Sequence, residues 1–316
     1  MTARPSRAKS AEEALHSSDS ARSAAPLVHA KSVTFDAPLK LETGGELPQV
    51  TVTYETYGTL NAARDNAVLI CHAISGDSHV ARHGDDDSPG WWDIIVGPGK
   101  FVDTNRYFVI CSNILGGCRG TTGPNSIDSR TGRPYASDFP TVTIADTVEV
   151  QRKLLDHLGI DRLLAVVGGS MGGHQAIAWA IRYPERVRGC VAVATSARLS
   201  SQALAFDVVA RNAILHDPHY HGGQYYGRQG PAVGLALARM LAHITYLSRE
   251  SMTAKFDPSR MRPRTMSTAF EKKFSVGAYL AHQGDRFVER FDPNEDCGYI
   301  GVDKLAYDFI SDVVAP

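Results

Sequence analysis

The sequence has little of what marks several classes of protein. Its five cysteines are scattered and form no CxxC pair, which argues against a disulfide framework, a zinc ribbon or a dithiol redox couple. The formal net charge is -1, so long-range attraction to nucleic acid or to an anionic membrane is not expected. No apolar run is long enough to cross a bilayer, and no charged-then-apolar leader opens the chain. We therefore expect a cytoplasmic protein with small-molecule substrates and no nucleic-acid or membrane partner.

The composition is that of a globular enzyme, with 43% hydrophobic and 21% charged residues among 316. Residues 1–32 are rich in Ala, Ser and Arg and predict a disordered tail. An organelle transit peptide is the alternative, which three acidic residues disfavour. Residues 33–198 predict a catalytic core. Residues 199–316 predict a helical lid followed by a shortened C-terminal region.

Short β-rich segments alternate with helical stretches through the core. Such alternation predicts an α/β fold with a mostly parallel sheet covered on both faces. The predicted strands are 51–57, 67–71, 107–112, 163–167 and 190–195, and the predicted core helices are 144–158 and 175–182. Beyond residue 196 the pattern becomes helical, with candidate helices at 199–216, 232–247, 268–283 and 302–313.

The stretch VVGGSMGGH (166–174) runs from an apolar strand through a GxSxG motif into a helical pattern. A serine hydroxyl becomes an effective nucleophile when a strained strand-to-helix turn lifts it clear of the sheet, and small flanking residues permit that turn. The motif therefore predicts a nucleophile elbow, with Ser170 as the catalytic residue. A merely structural glycine-rich turn is the alternative.

Acyl transfer through serine also needs donors for the oxyanion. The backbone N–H of Met171 is the first candidate, and Ala73 or Ile74, in the loop after the strand 67–71, supplies the second. His72 in that loop is more readily explained as a hydrogen-bonded structural histidine. A second glycine-rich loop, 116–124, lacks the GK[ST] ending of a nucleotide-binding loop and predicts a wall of the active-site mouth.

The predicted lid helix 232–247 carries two different faces. One face combines Arg239, His243 and Tyr246 through helical spacing, and the other is apolar and contains Val233, Leu237, Met240, Leu241 and Ile244. The face with Arg239 is either a solvated surface or a substrate-binding wall. In the second case Arg239 holds a carboxylate by two hydrogen bonds, with the Tyr246 hydroxyl beside it.

Several blocks, in order, resemble the homoserine O-acyltransferases of the α/β-hydrolase superfamily. They are CHAISGDSHVA (71–81), GWWDIIVGPGK (90–100), CSNILGGCRGTTGP (111–124), DFPTVTIADTV (138–148) and GGSMGGHQAIAWA (168–180). The resemblance implies transfer of an acetyl or succinyl group from acyl-coenzyme A to the hydroxyl of L-homoserine, through an acyl-serine, in methionine biosynthesis. It also implies a nucleophile at Ser170, a carboxylate-binding residue at Arg239 and no metal or prosthetic group. His174 departs from the methionine usual in the family. A homodimer is expected.

The catalytic acid and base are the difficulty. In this fold they follow the serine on loops beyond the lid, with histidine last. All twelve histidines lie at or before His282, and the sequence after Asn294 departs from the family pattern. The chain is therefore expected to be shortened, either catalytically impaired or a non-catalytic partner subunit; an active acyltransferase or serine esterase with another base is the alternative. If the chain is shortened and catalytically impaired, we expect weak homoserine binding and little acyl transfer.

Overall fold

The computed structural model describes residues 27–196, 199–256 and 275–298. Most of the predicted tail 1–32, the predicted helix 302–313 and the start of the predicted helix 268–283 lie outside the described residues. The chain divides into two units. The first comprises Met1–Thr122 and Val142–Ala197, and the second comprises Gly123–Thr141 and Arg198–Pro316.

The elements are numbered in chain order. The strands are β1 (Lys31–Phe35), β2 (Leu39–Lys40), β3 (Glu46–Leu47), β4 (Val50–Tyr57), β5 (Ala67–Cys71), β6 (Val96–Gly97), β7 (Val102–Asp103), β8 (Phe108–Ser112), β9 (Ile127–Asp128), β10 (Arg133–Pro134), β11 (Ala165–Gly169) and β12 (Cys190–Val193). The α-helices are α1 (Ile144–His157), α2 (Met171–Arg182), α3 (Ser201–Leu215), α4 (Ala232–Tyr246), α5 (Arg249–Phe256), α6 (Ser275–Val288) and α7 (Pro293–Gly298). Short 3-10 turns cover Ala136–Asp138, Pro184–Arg186 and His221–Gly223.

The first unit is built on a six-stranded sheet with the order β1-β4-β8-β5-β11-β12. The four neighbouring strands β8, β5, β11 and β12 run parallel, as the sequence predicts. β4 pairs antiparallel with β8, and β1 pairs antiparallel with β4. β1 is an element that the sequence pattern missed, and it begins at Lys31, inside the predicted tail. Its Ser and Thr side chains give no hydrophobic periodicity, so the sequence pattern does not indicate a strand. In the structure these side chains pair with threonines of β4.

β5 is an interior strand of this sheet, and its burial agrees with that position. All five of its residues, AVLIC, are buried, as expected for a parallel strand covered on both faces. α1 begins with a capping box, in which the Thr143 side chain accepts from the Asp146 backbone and the Asp146 carboxylate accepts from the Thr143 backbone. α1 and α2 pack against each other, and Trp179 of α2 is fully buried.

The second unit is helical, and α4 packs against both α3 and α6. The predicted helices 199–216 and 232–247 are confirmed as α3 and α4. Gly234 lets α3 and α4 approach closely, because a Cβ at this position would collide with the Ala213 carbonyl. The Gly234 N–H also donates to the Asp217 carboxylate, with a donor–acceptor distance of 2.7 Å.

The apolar face of α4 is a surface of the molecule. Val233, Leu237 and Ile244 are 67%, 51% and 47% exposed, whereas Arg239 and His243 on the other face are buried. The helix therefore packs through its small and polar residues and leaves much of its apolar stripe in solvent. No helix in the described ranges is both long enough and apolar enough to cross a bilayer.

Candidate active site

Ser170 stands between β11 and α2 in a strained backbone conformation. Its φ is 56° and its ψ is -125°, a region that a residue with a Cβ rarely occupies. The Ser170 N–H donates to the Val193 carbonyl of β12, and the Ser170 carbonyl accepts from the Gly173 N–H of α2. Strand and helix thus hold the strained turn from both sides. The Ser170 residue is exposed, as a nucleophile requires.

Glycines around Ser170 bring α2 into direct contact with the end of β5. A Cβ on Gly172 would collide with the Cys71 carbonyl, and a Cβ on Gly168 would collide with the Gly172 carbonyl. Gly169 differs, because a Cβ there would lie 3.7 Å from the nearest atom, the Val193 carbonyl oxygen. Close packing therefore requires Gly168 and Gly172, and it places the loop after β5 beside the serine turn.

The loop after β5 contains the predicted second oxyanion donor. Ala73 begins a tight turn, in which its carbonyl accepts from the Gly76 N–H at 2.8 Å. In the described part of the chain, the N–H groups of Met171, Ala73 and Ile74 donate to no acceptor. Unpaired N–H groups in the serine turn and in the loop after β5 have the chemistry of an oxyanion hole. The assignment of these three residues as oxyanion donors stays a prediction.

His72 is a buried structural residue, in agreement with the interpretation of the sequence. Its Nδ1 lies 2.7 Å from the Ala73 carbonyl, and its Nε2 accepts from the Ile114 N–H at 3.2 Å. A ring that donates through Nδ1 and accepts through Nε2 is neutral. His72 therefore links the loop after β5 to the loop after β8.

A chain of buried hydrogen bonds between side chains connects α1 and α2 to the loop after β5. The Trp179 indole N–H donates to Gln151 Oε1, and Gln151 Nε2 donates to Gln175 Oε1, both at 2.8 Å. Gln175 Nε2 then donates to the His72 carbonyl at 3.3 Å. Because buried amides are costly unless they are paired, this chain fixes α1, α2 and the loop in one arrangement.

The glycine-rich loop after β8 is anchored in two directions. The Gly116 N–H donates to the Thr122 carbonyl, and the hydroxyls of Thr121 and Thr122 accept N–H groups from β4. The Asn113 side chain accepts from the Ser78 N–H at 2.6 Å. The loops after β5 and β8 therefore form one connected border at the carboxyl end of the sheet, and the role of this border as a wall of the active site stays a prediction.

Two further side chains near the serine turn, those of His174 and Cys71, have defined surroundings. The His174 ring in the first turn of α2 contacts the Ser196 carbonyl through Nε2, at 3.1 Å. Burial raises the pKa of the Cys71 thiol, which makes this residue a poor nucleophile. Among the described residues, no histidine forms a hydrogen bond with the Ser170 hydroxyl.

The predicted substrate-binding residues of the second unit form a group on α4. The Arg239 guanidinium lies 4.5 Å from the centre of the Phe287 ring and 6.0 Å from the centre of the Tyr246 ring. His243 Nδ1 lies 2.9 Å from the Tyr279 hydroxyl. Burial of Arg239 and His243 contradicts a fully solvated face, whereas Tyr246 is exposed. Substrate binding by Arg239 and Tyr246 stays a prediction.

A serine in a strained strand-to-helix turn at the carboxyl end of a largely parallel sheet defines the class of α/β hydrolases. The profile of the alpha/beta hydrolase fold family matches residues 66–296. Within this class the chain belongs to the homoserine O-acyltransferase family, as the following relatives show.

A protein of Rhodopirellula baltica named bifunctional methionine biosynthesis protein MetXA/MetW is 61% identical over 285 residues, which is 89% of this chain and 46% of that protein. The homoserine O-succinyltransferase of Magnetococcus marinus is 54% identical over 84% of this chain and 70% of its own length. The crystal structure of homoserine O-acetyltransferase from Bacillus anthracis superposes with a TM-score of 0.78 and 33% identity, covering 91% of this chain and 78% of that one. The chain thus spans about half the length of the first of these relatives.

Proposed function

We propose that this protein transfers an acyl group from acyl-coenzyme A to the hydroxyl of L-homoserine, as a step of methionine biosynthesis. The observation that carries the proposal is the Ser170 turn, where an exposed, strained serine begins α2, and α2 packs against the end of β5, which the loop with Ala73 and Ile74 follows. The names of the relatives supply the substrates. The proposed reaction needs no metal or prosthetic group, and acyl-coenzyme A is its co-substrate.

In the first half of the reaction, Ser170 Oγ attacks the thioester carbonyl, and its proton passes through water to the thiolate of the departing coenzyme A. The tetrahedral oxyanion accepts hydrogen bonds from Met171 and from Ala73 or Ile74. Collapse of this intermediate expels coenzyme A and leaves an acyl-serine. In the second half, the homoserine hydroxyl attacks the acyl-serine, and the product leaves as the O-acyl ester while Ser170 regains its proton.

We assign the acceptor carboxylate to Arg239, with Tyr246 as a neighbouring contact. A guanidinium binds a carboxylate through two parallel hydrogen bonds, and burial strengthens such charge-assisted bonds. The Phe287 ring lies against the Arg239 guanidinium in a cation–π contact, which helps to fix the orientation of the guanidinium. Specificity for an amino-acid acceptor is the expected consequence.

The donor is the point on which the relatives differ, because their names include both acetyltransferase and succinyltransferase. We infer that the acetyl thioester is the donor, since several of the similar relatives are named homoserine O-acetyltransferase. Steady-state rates with acetyl- and succinyl-coenzyme A, measured as thiol release with and without homoserine, test this choice. A higher rate with succinyl-coenzyme A would reverse it.

The proposal is tested most directly by acylation of Ser170. We expect mass spectrometry of protein mixed with acyl-coenzyme A to show one acyl group on the peptide that contains Ser170, and none in Ser170→Ala. This readout depends on the first half-reaction alone. Acylation at another residue, or transfer to homoserine that persists in Ser170→Ala, would contradict the proposal. Thiol release without formation of O-acylhomoserine would instead identify a hydrolase.

We further propose that the protein acts in the cytoplasm as a homodimer. The described cysteines Cys71, Cys111, Cys118 and Cys190 are free thiols, which suits a reducing compartment. Exposed apolar residues on α3 and α4, including Val209, Val233 and Leu237, favour self-association of the second unit. Light scattering of Val233→Glu/Leu237→Glu against the unmodified protein tests the dimer, and an unchanged molar mass would contradict this interface.

A further inference from the structure

Glu55, in the middle of β4, is a buried carboxylate outside the proposed reaction. Its side chain is 0% exposed, and it accepts hydrogen bonds from the Tyr57 hydroxyl at 2.8 Å and the Ser78 hydroxyl at 3.3 Å. In the described part of the chain, its ion-pair partners are the imidazoles of His79 and His83. Because burial of an isolated carboxylate is costly, the two histidines are required next to it.

The three side chains converge on one point. His79 Nδ1 lies 3.0 Å and His83 Nε2 lies 2.9 Å from the same atom, Glu55 Oε2. The three candidate ligand atoms all lie within 4.8 Å of one another. Tetrahedral zinc, with bonds of about 2.0–2.2 Å, places neighbouring ligand atoms roughly 3.3 Å apart, so each nitrogen would move a few tenths of an ångström away from Glu55 Oε2 and the two nitrogens would approach each other by up to about 1.5 Å.

Neighbouring groups hold the two rings in an orientation suited to metal binding. His79 Nε2 lies 2.8 Å from the Ser88 carbonyl, an arrangement that places the proton on Nε2 and leaves Nδ1 as a ligand when the ring is neutral. The Tyr57 ring stacks on the His83 ring with a centroid distance of 4.3 Å. Partial exposure of the His79 and His83 side chains, 12% and 22%, gives an ion access from solvent.

We propose that Glu55, His79 and His83 form a binding site for one divalent transition-metal ion of the zinc type. Imidazole nitrogens with a carboxylate oxygen are a donor set that zinc accepts, and water completes the coordination. The ion ties β4 to the loop after β5. Its ligands differ from every residue assigned to acyl transfer, so the proposal stands or falls independently of the proposed function.

Without a metal, the same groups form a hydrogen-bonded ionic cluster. Burial lowers the pKa of His79, but hydrogen bonds to Glu55 and the Ser88 carbonyl outweigh burial and raise this pKa to about 9. A metal ion therefore displaces a proton when it binds His79, and binding is measured at about pH 8 to limit this competition.

The first experiment measures binding of the metal alone. The protein of residues 1–316, without an affinity tag, is treated with a chelator, dialysed against Zn²⁺ and analysed for metal content. We expect one tightly held zinc per chain and, at a hundredfold excess over Kd, a rise of about 5 °C in the thermal midpoint. No saturable stoichiometric binding would overturn the proposal.

Matched variants locate the site. His83→Ala and Glu55→Gln are expected to weaken zinc binding at least about tenfold, whereas His157→Ala, a change at an exposed histidine of α1, leaves it unaltered. Each variant is compared with and without zinc, so a general loss of stability does not affect the readout. Equal zinc affinity in His83→Ala and the unmodified protein would overturn the site.

Cobalt distinguishes this site from binding by the free cysteines. Co²⁺ bound by nitrogen and oxygen ligands gives visible ligand-field bands, whereas thiolate ligation adds an intense charge-transfer band in the near ultraviolet. We expect the ligand-field bands alone, and their loss in His83→Ala. A thiolate band that persists in His83→Ala would assign the metal to cysteine and contradict the proposal.

Discussion

His72 accepts a hydrogen bond from the backbone N–H of Ile114, and this bond is one of those that join the loops that follow β5 and β8. The same ring contacts the Ala73 carbonyl, directly beside a predicted oxyanion donor. His72 is buried and neutral, so its contribution is positional. The arrangement of the loop after β5 therefore depends in part on His72, which we expect to have no direct role in the reaction.

Replacement of His72 by alanine tests this role. The change leaves the buried Ile114 N–H without its acceptor, which costs about 1–3 kcal/mol. We expect the free energy of unfolding in urea to fall by about 2 kcal/mol and the rate of Ser170 acylation to fall with little change in the Kd for acyl-coenzyme A. A loss of affinity as large as the loss of rate would contradict a positional role.

The glycines of the GxSxG segment make unequal contributions. Gly172→Ala introduces a Cβ against the Cys71 carbonyl, and overpacking of this kind costs about 1–3 kcal/mol. Gly169→Ala is the matched control, because its Cβ would meet the Val193 carbonyl at an ordinary 3.7 Å. We expect urea unfolding to show a clear loss for Gly172→Ala and a change within about 0.5 kcal/mol for Gly169→Ala. Equal losses would refute the close approach of α2 to β5.

The sequence predicted the features that follow from local pattern. Strand β5 and helix α1 combine strong periodicity with clear end signals, and their observed limits agree with the predicted ones within about a residue. The serine turn was found because its glycines are a sequence signature. By contrast, β1 was missed because its Ser and Thr side chains pair with β4 across a long separation.

Local sequence pattern does not predict contacts between residues far apart in the chain. The amphipathic pattern of α4 shows two faces but does not say which one packs, and close approach at Gly234 made the less apolar face the buried one. Glu55 is another example, since its two histidine partners lie more than twenty residues away. The signal that would have drawn attention to that cluster is the pair His79 and His83, four positions apart and followed by Asp87.

The strained backbone at Ser170 lowers the stability of the fold, whereas the Ser170 hydroxyl is expected to provide the activity. Glycine occupies positive φ without penalty, whereas alanine keeps the strain that serine has. We expect Ser170→Gly to raise the free energy of unfolding by about 1 kcal/mol, after allowing for the greater entropy of glycine in the unfolded chain. Ser170→Ala is expected to leave stability unchanged, and both variants to lose acylation. A Ser170→Gly variant that is no more stable than Ser170→Ala would contradict the backbone strain.

Glu149 on α1 provides a pH-dependent contribution to stability. Burial raises its pKa, but hydrogen bonds from Arg152 and Tyr183 outweigh burial and bring the pKa below the ordinary 4.5. The carboxylate therefore stabilises the fold above pH 4.5, and this contribution is lost as the pH falls through the lowered pKa.

Replacement of this carboxylate isolates the effect. Glu149→Gln is expected to lower the free energy of unfolding by up to about 1 kcal/mol at neutral pH and to flatten its dependence on pH in the acid range. The exposed Glu185→Gln is the control. Urea unfolding at several pH values provides the measurement, and parallel curves for Glu149→Gln and the unmodified protein would contradict the contribution of this ion pair.

Arg239 offers the sharpest test of how the acceptor is recognised. A two-point hydrogen bond to a carboxylate contributes about 1.5–3 kcal/mol, so Arg239→Ala is expected to weaken homoserine binding by about ten- to a hundredfold. Acyl-coenzyme A binding is expected to change by less than about twofold, because the donor does not use this carboxylate contact. Arg239→Lys keeps the charge but cannot form the paired geometry, and it should restore only part of the affinity. Calorimetric titration of each ligand into folded variants supplies the comparison, and equal weakening for both ligands would rule out carboxylate recognition by Arg239.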